Sequence, residues 1–365
     1  MTHFLEDVLR QPVELLRVMD MLKGPCREDL ASVADAIRGA HHVYLTGIGA
    51  SWNAALAAGT IFYAGGVPVY MQDASELLQY SRIPSGAVIL ALSRSGRSVE
   101  IVKLLAKARA ANATVIGITN FAEGLLAQES DIPIVIPVGA DHGISVNTYS
   151  ALAAGAGAIA ATVTGTFDDA LVAALSDAIA DTARRIPGWQ RQLAGARWFQ
   201  PGASYYFLAR GSSLASAFEA ALLWEEGVKS PATAMGTGVF RHGPQEVVTK
   251  DVRFAIWIDN EQMRKQDLAV AHDLKSMGAS VMLIGQDLPS DAGELVIPLA
   301  PSPTHWQFLT DIFPVQLAAD HLAELSGKDC DSFRFASYVV DDDHGLFSNG
   351  IEASVPGHST LTEKD

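Results

Sequence analysis

The segment best suited to bind an anion is a serine-rich loop at residues 93–98, with the sequence SRSGRS. It lies between the apolar run 87–92 and an amphipathic stretch that starts at Val99. Hydroxyls and free backbone N–H groups at the start of a helix bind anions through hydrogen bonds and the helix dipole. We therefore expect a bound phosphate monoester. Arg94 and Arg97 could add charge-assisted contacts, although exposed arginines are usually only solvated. The expected phosphate-binding residues are Ser93, Arg94, Ser95, Gly96 and Ser98.

Ser98 also has a simpler explanation. Serine is a preferred N-cap residue, so Ser98 could serve only to cap the helix that follows it. Three serines around a glycine, placed between a buried strand and a helix, favour the binding site instead. In the second half of the chain, the corresponding strand is followed by residues 259–262, with the sequence DNEQ and neither serine nor glycine. We therefore expect one phosphate site per chain.

Short apolar runs alternate with helical stretches along the chain, which predicts βαβ units and a parallel sheet. The runs that start at residues 87 and 114 recur 166 residues later, at 253 and 280, which indicates an internal duplication. We predict an α/β fold of two tandem domains, each a doubly wound, flavodoxin-like parallel sheet of five strands flanked by helices. Ligands of such sheets bind beyond the carboxyl ends of the strands. The runs predicted as strands are residues 43–45, 67–70, 87–92, 114–118, 134–136, 205–208, 253–258, 280–284 and 295–297.

A connecting segment separates the two predicted domains. The Ala-rich stretch 150–162 continues as a helical pattern to about Arg185, and the tripeptide 186–188, with the sequence IPG, is a plausible boundary. We therefore predict a first domain at residues 1–187, which contains the serine loop, and a second domain at residues 188–365.

The composition excludes several classes of function. With 365 residues, of which 49% are hydrophobic, the chain can bury one large core or two medium-sized cores, and the length favours two domains. A formal charge of −15 repels nucleic acid. The N-terminus lacks the pattern of a signal peptide, and no apolar run reaches the roughly 18 residues of a membrane span. We therefore expect a cytoplasmic protein that binds neither nucleic acid nor a membrane.

No cofactor and no metal are expected. Cys26 and Cys330 lie far apart and have no metal-ligand spacing. Gly47 and Gly49 match half of a dinucleotide fingerprint, but its third glycine is missing. Residues 341–344, with the sequence DDDH, have the side-chain types of metal ligands, yet an acidic run in a tail is usually solvated surface.

The order of these motifs resembles the SIS (sugar isomerase) family, and in particular its double-SIS phosphosugar isomerases and deaminases. The serine loop is similar to the family's phosphate loop, S-x-S-G-x-[ST]. Over most of its length the chain resembles the isomerase part of the glucosamine-6-phosphate synthases, while its R-H-G-P segment is closer to tagatose-6-phosphate isomerase/deaminase-like members. The further matching segments are residues 47–53, 73–76, 209–211, 218–226 and 241–244.

The resemblance implies roles for three more residues. Ser51 would lie near the sugar, Glu226 would move the proton, and His242 would help to open the sugar ring. The residue types fit this chemistry, because proton transfer between C1 and C2 of an open sugar needs a carboxylate and ring opening needs a group that titrates near neutrality. Without the resemblance, Glu226 could be an exposed residue of its helix and His242 a turn residue.

The chain also departs from the family pattern. Leu223 and Ser337 stand where the synthases have lysines, so catalysis through an imine is doubtful. Arg94 replaces a glutamine, and residues 147–148 read Asn-Thr where Thr-Lys is usual. The chain begins without a glutaminase domain, so we expect no glutaminase activity.

Two functions of different classes follow. The first is an enzyme that isomerises or deaminates a sugar or aminosugar 6-phosphate by ring opening and C1/C2 proton transfer. The second is a non-catalytic sugar-phosphate sensor, which the missing lysines favour, whereas Glu226 and His242 favour the enzyme. The resemblance also implies a homodimer with a shared active site, because in the related isomerases the histidine loop reaches a neighbouring subunit's site. Residues 236–240 read as an extended, glycine-hinged loop that could carry His242 there.

Overall fold

The first half of the chain forms a five-stranded parallel sheet in this computed structural model, which describes residues 1–335, 338–343 and 345–346. The strand order is β2-β1-β3-β4-β5, the flavodoxin-like order of a doubly wound sheet. Every residue of β3 is buried, as expected for a strand that helices cover on both faces. The strands are β1 (Val43–Thr46), β2 (Tyr70–Met71), β3 (Val88–Leu92), β4 (Thr114–Thr119) and β5 (Ile132–Val135).

Eight helices accompany this sheet in the described part of the chain. Their bounds are α1 (His3–Lys23), α2 (Arg27–Arg38), α3 (Ala50–Ala64), α4 (Ala74–Tyr80), α5 (Val99–Ala110), α6 (Leu125–Glu129), α7 (Asn147–Thr164) and α8 (Asp169–Ala194).

The second half repeats the topology of the first. Its sheet has the order β10-β9-β8-β6-β7, which is the same 2-1-3-4-5 order read from the other edge. The predicted fold of two such sheets is therefore confirmed. The strands are β6 (Ser204–Ala209), β7 (Ala232–Gly236), β8 (Val252–Trp257), β9 (Ser280–Gly285) and β10 (Leu295–Pro298). The helices are α9 (Ser213–Leu223), a π-helical turn (Trp224–Val228), α10 (Thr237–Phe240), a 3-10 turn (Pro244–Val247), α11 (Arg264–Ser276), a 3-10 turn (Gln307–Leu309) and α12 (Phe313–Leu325).

The two halves share one large hydrophobic core. Helix α7 lies inside it, and small residues let its neighbours approach closely. A Cβ atom at Gly155 would lie 2.0 Å from Ile136 Cδ1, and one at Gly157 would lie 2.8 Å from the Trp306 ring. The Ala-rich stretch is thus an interior helix rather than an exposed linker.

Helix α8 extends further than predicted. It continues through Pro187 to Ala194, so the predicted boundary at 187/188 falls within a continuous helix. Ile186 and Trp189 are buried on both sides of the proline, and this packing offsets the backbone hydrogen bond that proline cannot make. The division into domains remains a prediction.

The segment before His242 also differs from its prediction. Gly236 ends strand β7, and residues 237–240 form the short helix α10 rather than an extended loop. Burial of Thr237 and Phe240 explains the difference, because both side chains anchor the turn to the second half. None of the described helices combines the length and the apolar character needed to cross a membrane.

Candidate functional site

A cleft of about 260 Å³ lies at the carboxyl ends of β1 and β3. It brings together residues that are far apart in sequence, from the first-strand loop, the serine loop, the turn after α9 and the C-terminal segment. Four of the predicted phosphate or sugar residues line it, and so does the predicted proton-transfer residue Glu226. The lining residues are Ile48, Gly49, Ala50, Ser51, Arg94, Ser95, Ser98, Glu100, Ser145, Glu226, Phe333, Tyr338, Val339 and Val340.

Two residues of the serine loop maintain its conformation, and two others line the cleft. Ser93 is only 2% exposed, and its Oγ accepts a hydrogen bond of 3.1 Å from the Gly96 N–H. Gly96 adopts a φ of +64°, and a Cβ there would lie 3.2 Å from Gly124 Cα, so this position requires glycine. Neither Ser93 nor Gly96 lines the cleft, whereas Ser95 and Ser98 do. Ser93 and Gly96 thus hold the loop in place.

Ser98 occupies the N-cap position of α5, but its side chain makes no capping hydrogen bond. The simpler explanation of this serine therefore loses its main physical support. The backbone N–H of Val99, the first residue of α5, donates a hydrogen bond of 3.0 Å to the carbonyl oxygen of Val340. The C-terminal segment thus covers one of the backbone donors at the start of this helix.

Arg94 connects the serine loop to the first-strand loop and to the C-terminal segment. Its backbone N–H donates to the Ser51 Oγ at 3.3 Å, which fixes the first-strand loop beside the serine loop. Its guanidinium donates to the Ser145 Oγ at 2.8 Å and to the Tyr338 carbonyl oxygen at 2.5 Å. The same group stacks 3.8 Å from the centroid of the Tyr338 ring. Arg94 is therefore engaged in holding the C-terminal segment, which the sequence did not indicate.

The Glu226 carboxyl reaches the cleft from the π-helical turn at the end of α9. Burial raises the pKa of this carboxyl to about 7, although the nearby positive charges of Arg94 and Lys229 oppose the shift. A carboxyl group that titrates near neutrality can both accept and release a proton there. The π-helical turn is an irregularity of the kind that is frequent at functional sites.

His242 does not line this cleft. The residue lies in an exposed turn between α10 and the 3-10 turn at Pro244–Val247. Within one chain, the structure therefore brings Glu226 to the serine loop but does not bring His242 there. The predicted sharing of the site with a second subunit remains a prediction.

A second glutamate, which is fully buried, lies near Glu226, and sequence reasoning missed it. Glu219 is 1% exposed, and its Oε2 accepts a hydrogen bond of 2.8 Å from the Asn53 Nδ2. Burial raises the pKa of Glu219 to about 8, and the charge of Glu226 raises it further. The sequence did contain a signal for Glu219. This residue lies two helical turns before Glu226, so the two side chains lie on the same side of the helix.

No lysine is found among the described residues that line the cleft. Leu223, at one of the family's lysine positions, is 0% exposed. Ser337, at the other, lies outside the described residues, as does His344 of the acidic run. Lys229 lies close by, but its Nζ donates to the carbonyl oxygen of Ser332 at 2.7 Å and to that of Glu226. It thus binds the backbone of the C-terminal segment.

One group of side chains in the described part of the chain has the ligand types and spacing for a metal ion, and it lies outside the cleft. Its ligand atoms, from His3, Glu6 and His142, lie within 4.8 Å of one another. The two imidazole rings are stacked with centroids 4.5 Å apart. The Nδ1 of His3 already contacts the Glu6 carboxylate, and the Nδ1 of His142 contacts the Asp7 carboxylate.

Comparison with known proteins agrees with this architecture. Residues 36–162 match the model of the SIS domain. The glutamine-fructose-6-phosphate aminotransferase (isomerizing) of Aeropyrum pernix is 28% identical over 364 residues, covering 93% of this chain and 57% of that protein. The enzyme of the same name from Pyrococcus horikoshii is 24% identical, covering 90% of this chain and 56% of that protein. The chain thus spans little more than half the length of these relatives.

Solved structures show the same fold. The C-terminal domain of glucosamine-fructose-6-phosphate aminotransferase from Francisella tularensis has a TM-score of 0.79 at 20% identity, over 90% of this chain and 97% of that one. Glucosamine-6-phosphate deaminase from Thermotoga maritima has a TM-score of 0.78 at 19% identity, over 93% and 99%. Tagatose-6-phosphate ketose/aldose isomerase from Escherichia coli has a TM-score of 0.78 at 20% identity, over 90% and 94%. Residues 36–162 are therefore similar to the SIS domain, and the chain shares the fold of these solved structures, two parallel five-stranded sheets flanked by helices.

Proposed function

We propose that this chain is an enzyme that binds a sugar or aminosugar 6-phosphate, opens its ring and moves a proton between C1 and C2. The observation that carries the proposal is the presence, in one cleft, of the Glu226 carboxyl with a pKa of about 7 and two serine hydroxyls at the start of α5. The phosphate binds at Ser95 and Ser98, where hydroxyls, backbone N–H groups and the helix dipole favour an anion. With the phosphate bound there, C1 and C2 of the sugar lie toward Glu226.

The reaction follows from the position of one carboxylate. Glu226 removes the proton from C2 of the open-chain aldose while the C1 carbonyl oxygen takes up a proton, which gives an enediol. The protonated Glu226 then delivers its proton to C1, the C2 hydroxyl loses a proton, and a ketose results. In an aminosugar the same transfer leaves an imine at C2, and water adds to this imine to release ammonia. Isomerisation and deamination thus share their first step.

The names of the similar proteins support this class of chemistry, because these proteins include isomerizing aminotransferases, a deaminase and a ketose/aldose isomerase. Ring opening is assigned to His242 of a second subunit in a homodimer, since His242 lies outside the cleft of its own chain. The two free, buried cysteines fit the reducing conditions of the cytoplasm.

The decisive experiment measures the incorporation of deuterium from the solvent into the substrate. In D₂O, the enzyme should incorporate deuterium from solvent at C1 or C2 of its substrate, as detected by NMR over a panel of hexose and aminosugar 6-phosphates. An ammonia assay in the same samples separates deamination from isomerisation. Glu226→Gln should abolish the exchange, while Glu225→Gln serves as the control. Neither exchange nor turnover on any panel member, with the protein folded, would refute the enzyme.

A sugar-phosphate sensor is the second candidate. The buried Leu223, at a position where the family has a lysine, favours it. A sensor would be stabilised against heat by phosphosugar, since the ligand binds the folded state alone, but it would not convert the ligand. Thermal shift without deuterium exchange would therefore identify the sensor.

A further inference from the structure

Two histidines and a glutamate meet outside the cleft, where helix α1 contacts the loop between β5 and α7. His3 and Glu6 lie at the start of α1, and His142 lies on the loop, so the group joins segments that are far apart in sequence. Their ligand atoms lie within 4.8 Å of one another, and the two imidazole rings are stacked with centroids 4.5 Å apart. None of the three side chains lines the cleft.

The chemistry of the group fits a borderline divalent metal ion. Two imidazoles and one carboxylate are a known ligand set for Zn²⁺, with water in the remaining position. Imidazole favours Zn²⁺ over Mg²⁺ and Ca²⁺, which prefer oxygen ligands. Bonds of about 2.0–2.1 Å in a tetrahedral site place neighbouring ligand atoms roughly 3.3 Å apart. The side chains of His3 and His142 are 61% and 48% exposed, so small rotations can close the remaining distance.

A buried carboxylate already orients one of the two rings. The side chain of Asp7 is 2% exposed, and its Oδ2 lies 3.1 Å from the His142 Nδ1. The same oxygen accepts a hydrogen bond of 2.8 Å from the His142 backbone N–H. A carboxylate that accepts from the Nδ1–H of a histidine fixes the tautomer in which Nε2 is free to bind a metal ion. Asp7 thus has the place of the outer partner of a metal-bound histidine, independently of the distances among the ligands.

The main chain on both sides of the group is held in place as well. The N–H groups of His3 and Phe4 donate to the Asp331 carboxylate at 2.8 Å and 2.7 Å, which fixes the start of α1. The Arg10 guanidinium donates to the Ala140 carbonyl oxygen at 3.0 Å, which fixes the loop against the same helix. A metal ion therefore does not have to bring the two segments together, because the fold has already done so.

We propose that His3, Glu6 and His142 bind a Zn²⁺ ion, with Asp7 as the outer partner of His142. The ion links α1 to the loop 136–146 and stabilises the folded chain, since the unfolded chain does not hold these ligands together. Composition and local spacing did not indicate the site, because its ligands come from distant segments. The site is distinct from the cleft, and it does not depend on the reaction proposed there.

The test is isothermal titration of the full-length protein, without an affinity tag, with Zn²⁺ and with Mg²⁺. Zn²⁺ should bind at one site, and Mg²⁺ should bind much more weakly. His3→Ala, His142→Ala and Glu6→Gln should each weaken Zn²⁺ about tenfold or more, since loss of even an outer partner of a ligand costs about 10- to 100-fold in affinity. All three side chains are substantially exposed, so the variants should fold. Zn²⁺ should also raise the melting temperature of wild type but not that of His142→Ala.

Two controls locate the ion. His41→Ala removes an exposed histidine outside the group, and Glu226→Gln removes the carboxylate of the cleft. Both variants should bind Zn²⁺ as tightly as wild type does. Zn²⁺ binding that persists unchanged in His3→Ala and His142→Ala would overturn the proposal, and so would its loss in Glu226→Gln. Absence of Zn²⁺ binding to wild type, or equal affinity for Zn²⁺ and Mg²⁺, would overturn it as well.

Discussion

Asn53 of helix α3 donates a hydrogen bond of 2.8 Å to Glu219 of helix α9, and this buried pair joins the two halves beside the candidate active site. Asn53 lies two residues after Ser51, and Glu219 lies two helical turns before Glu226. The carboxyl group is fully buried and its pKa is raised to about 8, so Glu219 is mostly protonated at neutral pH. The pair therefore places a neutral acid between the first-strand loop, which contains Ser51, and Glu226.

This pair predicts a dependence of stability on pH. The folded-state pKa of Glu219, about 8, lies above the ordinary value of 4.5, so the folded protein binds the proton more tightly than the unfolded chain does. The resulting stabilisation is complete below pH 4.5 and is lost as the pH rises through about 8. Melting temperatures between pH 5 and pH 9 should therefore fall less steeply in Glu219→Gln than in wild type. Glu123→Gln is the control, and parallel curves for wild type and Glu219→Gln would contradict the prediction.

Glu226→Gln should reduce turnover by roughly 10²- to 10⁴-fold, the usual contribution of a general acid or base. Phosphosugar affinity should remain, because the serine loop is untouched. In wild type, kcat/KM should rise with pH through about 7 as the carboxyl group loses its proton and becomes a base. Steady-state kinetics over this pH range test both points. A variant that keeps wild-type turnover would exclude Glu226 as the proton-transfer residue.

Ser95→Ala and Ser98→Ala should each weaken phosphosugar binding by roughly ten- to a hundredfold, because each removes a charge-assisted hydrogen bond of about 1.5–3 kcal/mol. Ser98→Ala should change the free energy of unfolding by less than about 0.5 kcal/mol, because the side chain makes no capping hydrogen bond. Titration calorimetry and urea unfolding measure the two quantities. Affinity for the unphosphorylated sugar is the internal control, and its equal loss would argue against a phosphate contact.

Arg94→Lys should loosen the C-terminal segment over the cleft. Lysine keeps the charge but lacks the planar guanidinium that stacks on the Tyr338 ring while donating to Ser145 and to the Tyr338 carbonyl oxygen. Trypsin should therefore cleave after Arg334 faster in Arg94→Lys than in wild type. Arg97→Lys, in the same loop but exposed and outside the cleft lining, should not accelerate cleavage. Equal rates in both variants would show that Arg94 does not hold the segment.

Mixed dimers test the predicted sharing of the site. Glu226→Gln and His242→Ala should each be inactive alone, and a mixture should recover part of the activity if His242 acts in the neighbouring subunit. Native mass spectrometry verifies that mixed dimers form. No recovery in verified mixed dimers would show that the site is not shared in this way.

The sequence was sufficient for the repeating architecture and for the position of the serine loop between β3 and α5. Constant spacing of the apolar runs predicted two equivalent parallel sheets, because a buried parallel strand is a continuous apolar run that local composition reveals. The run of serines around Gly96 between strand and helix likewise has a local signature. The short strand β7 and the continuation of α8 through Pro187 were missed, since tertiary packing decides both.

Only the tertiary structure decided which of the predicted residues meet. It placed Glu226 beside Ser95 and Ser98, kept His242 outside that cleft, and turned Arg94 toward the C-terminal segment. It also buried Glu219 against Asn53, which no local pattern indicates. A side chain's type and spacing determine what chemistry it can do, whereas its pKa and its partners depend on burial and on residues distant in the chain. The sequence therefore predicted a class of ligand, and the fold decided which of the predicted residues lie together.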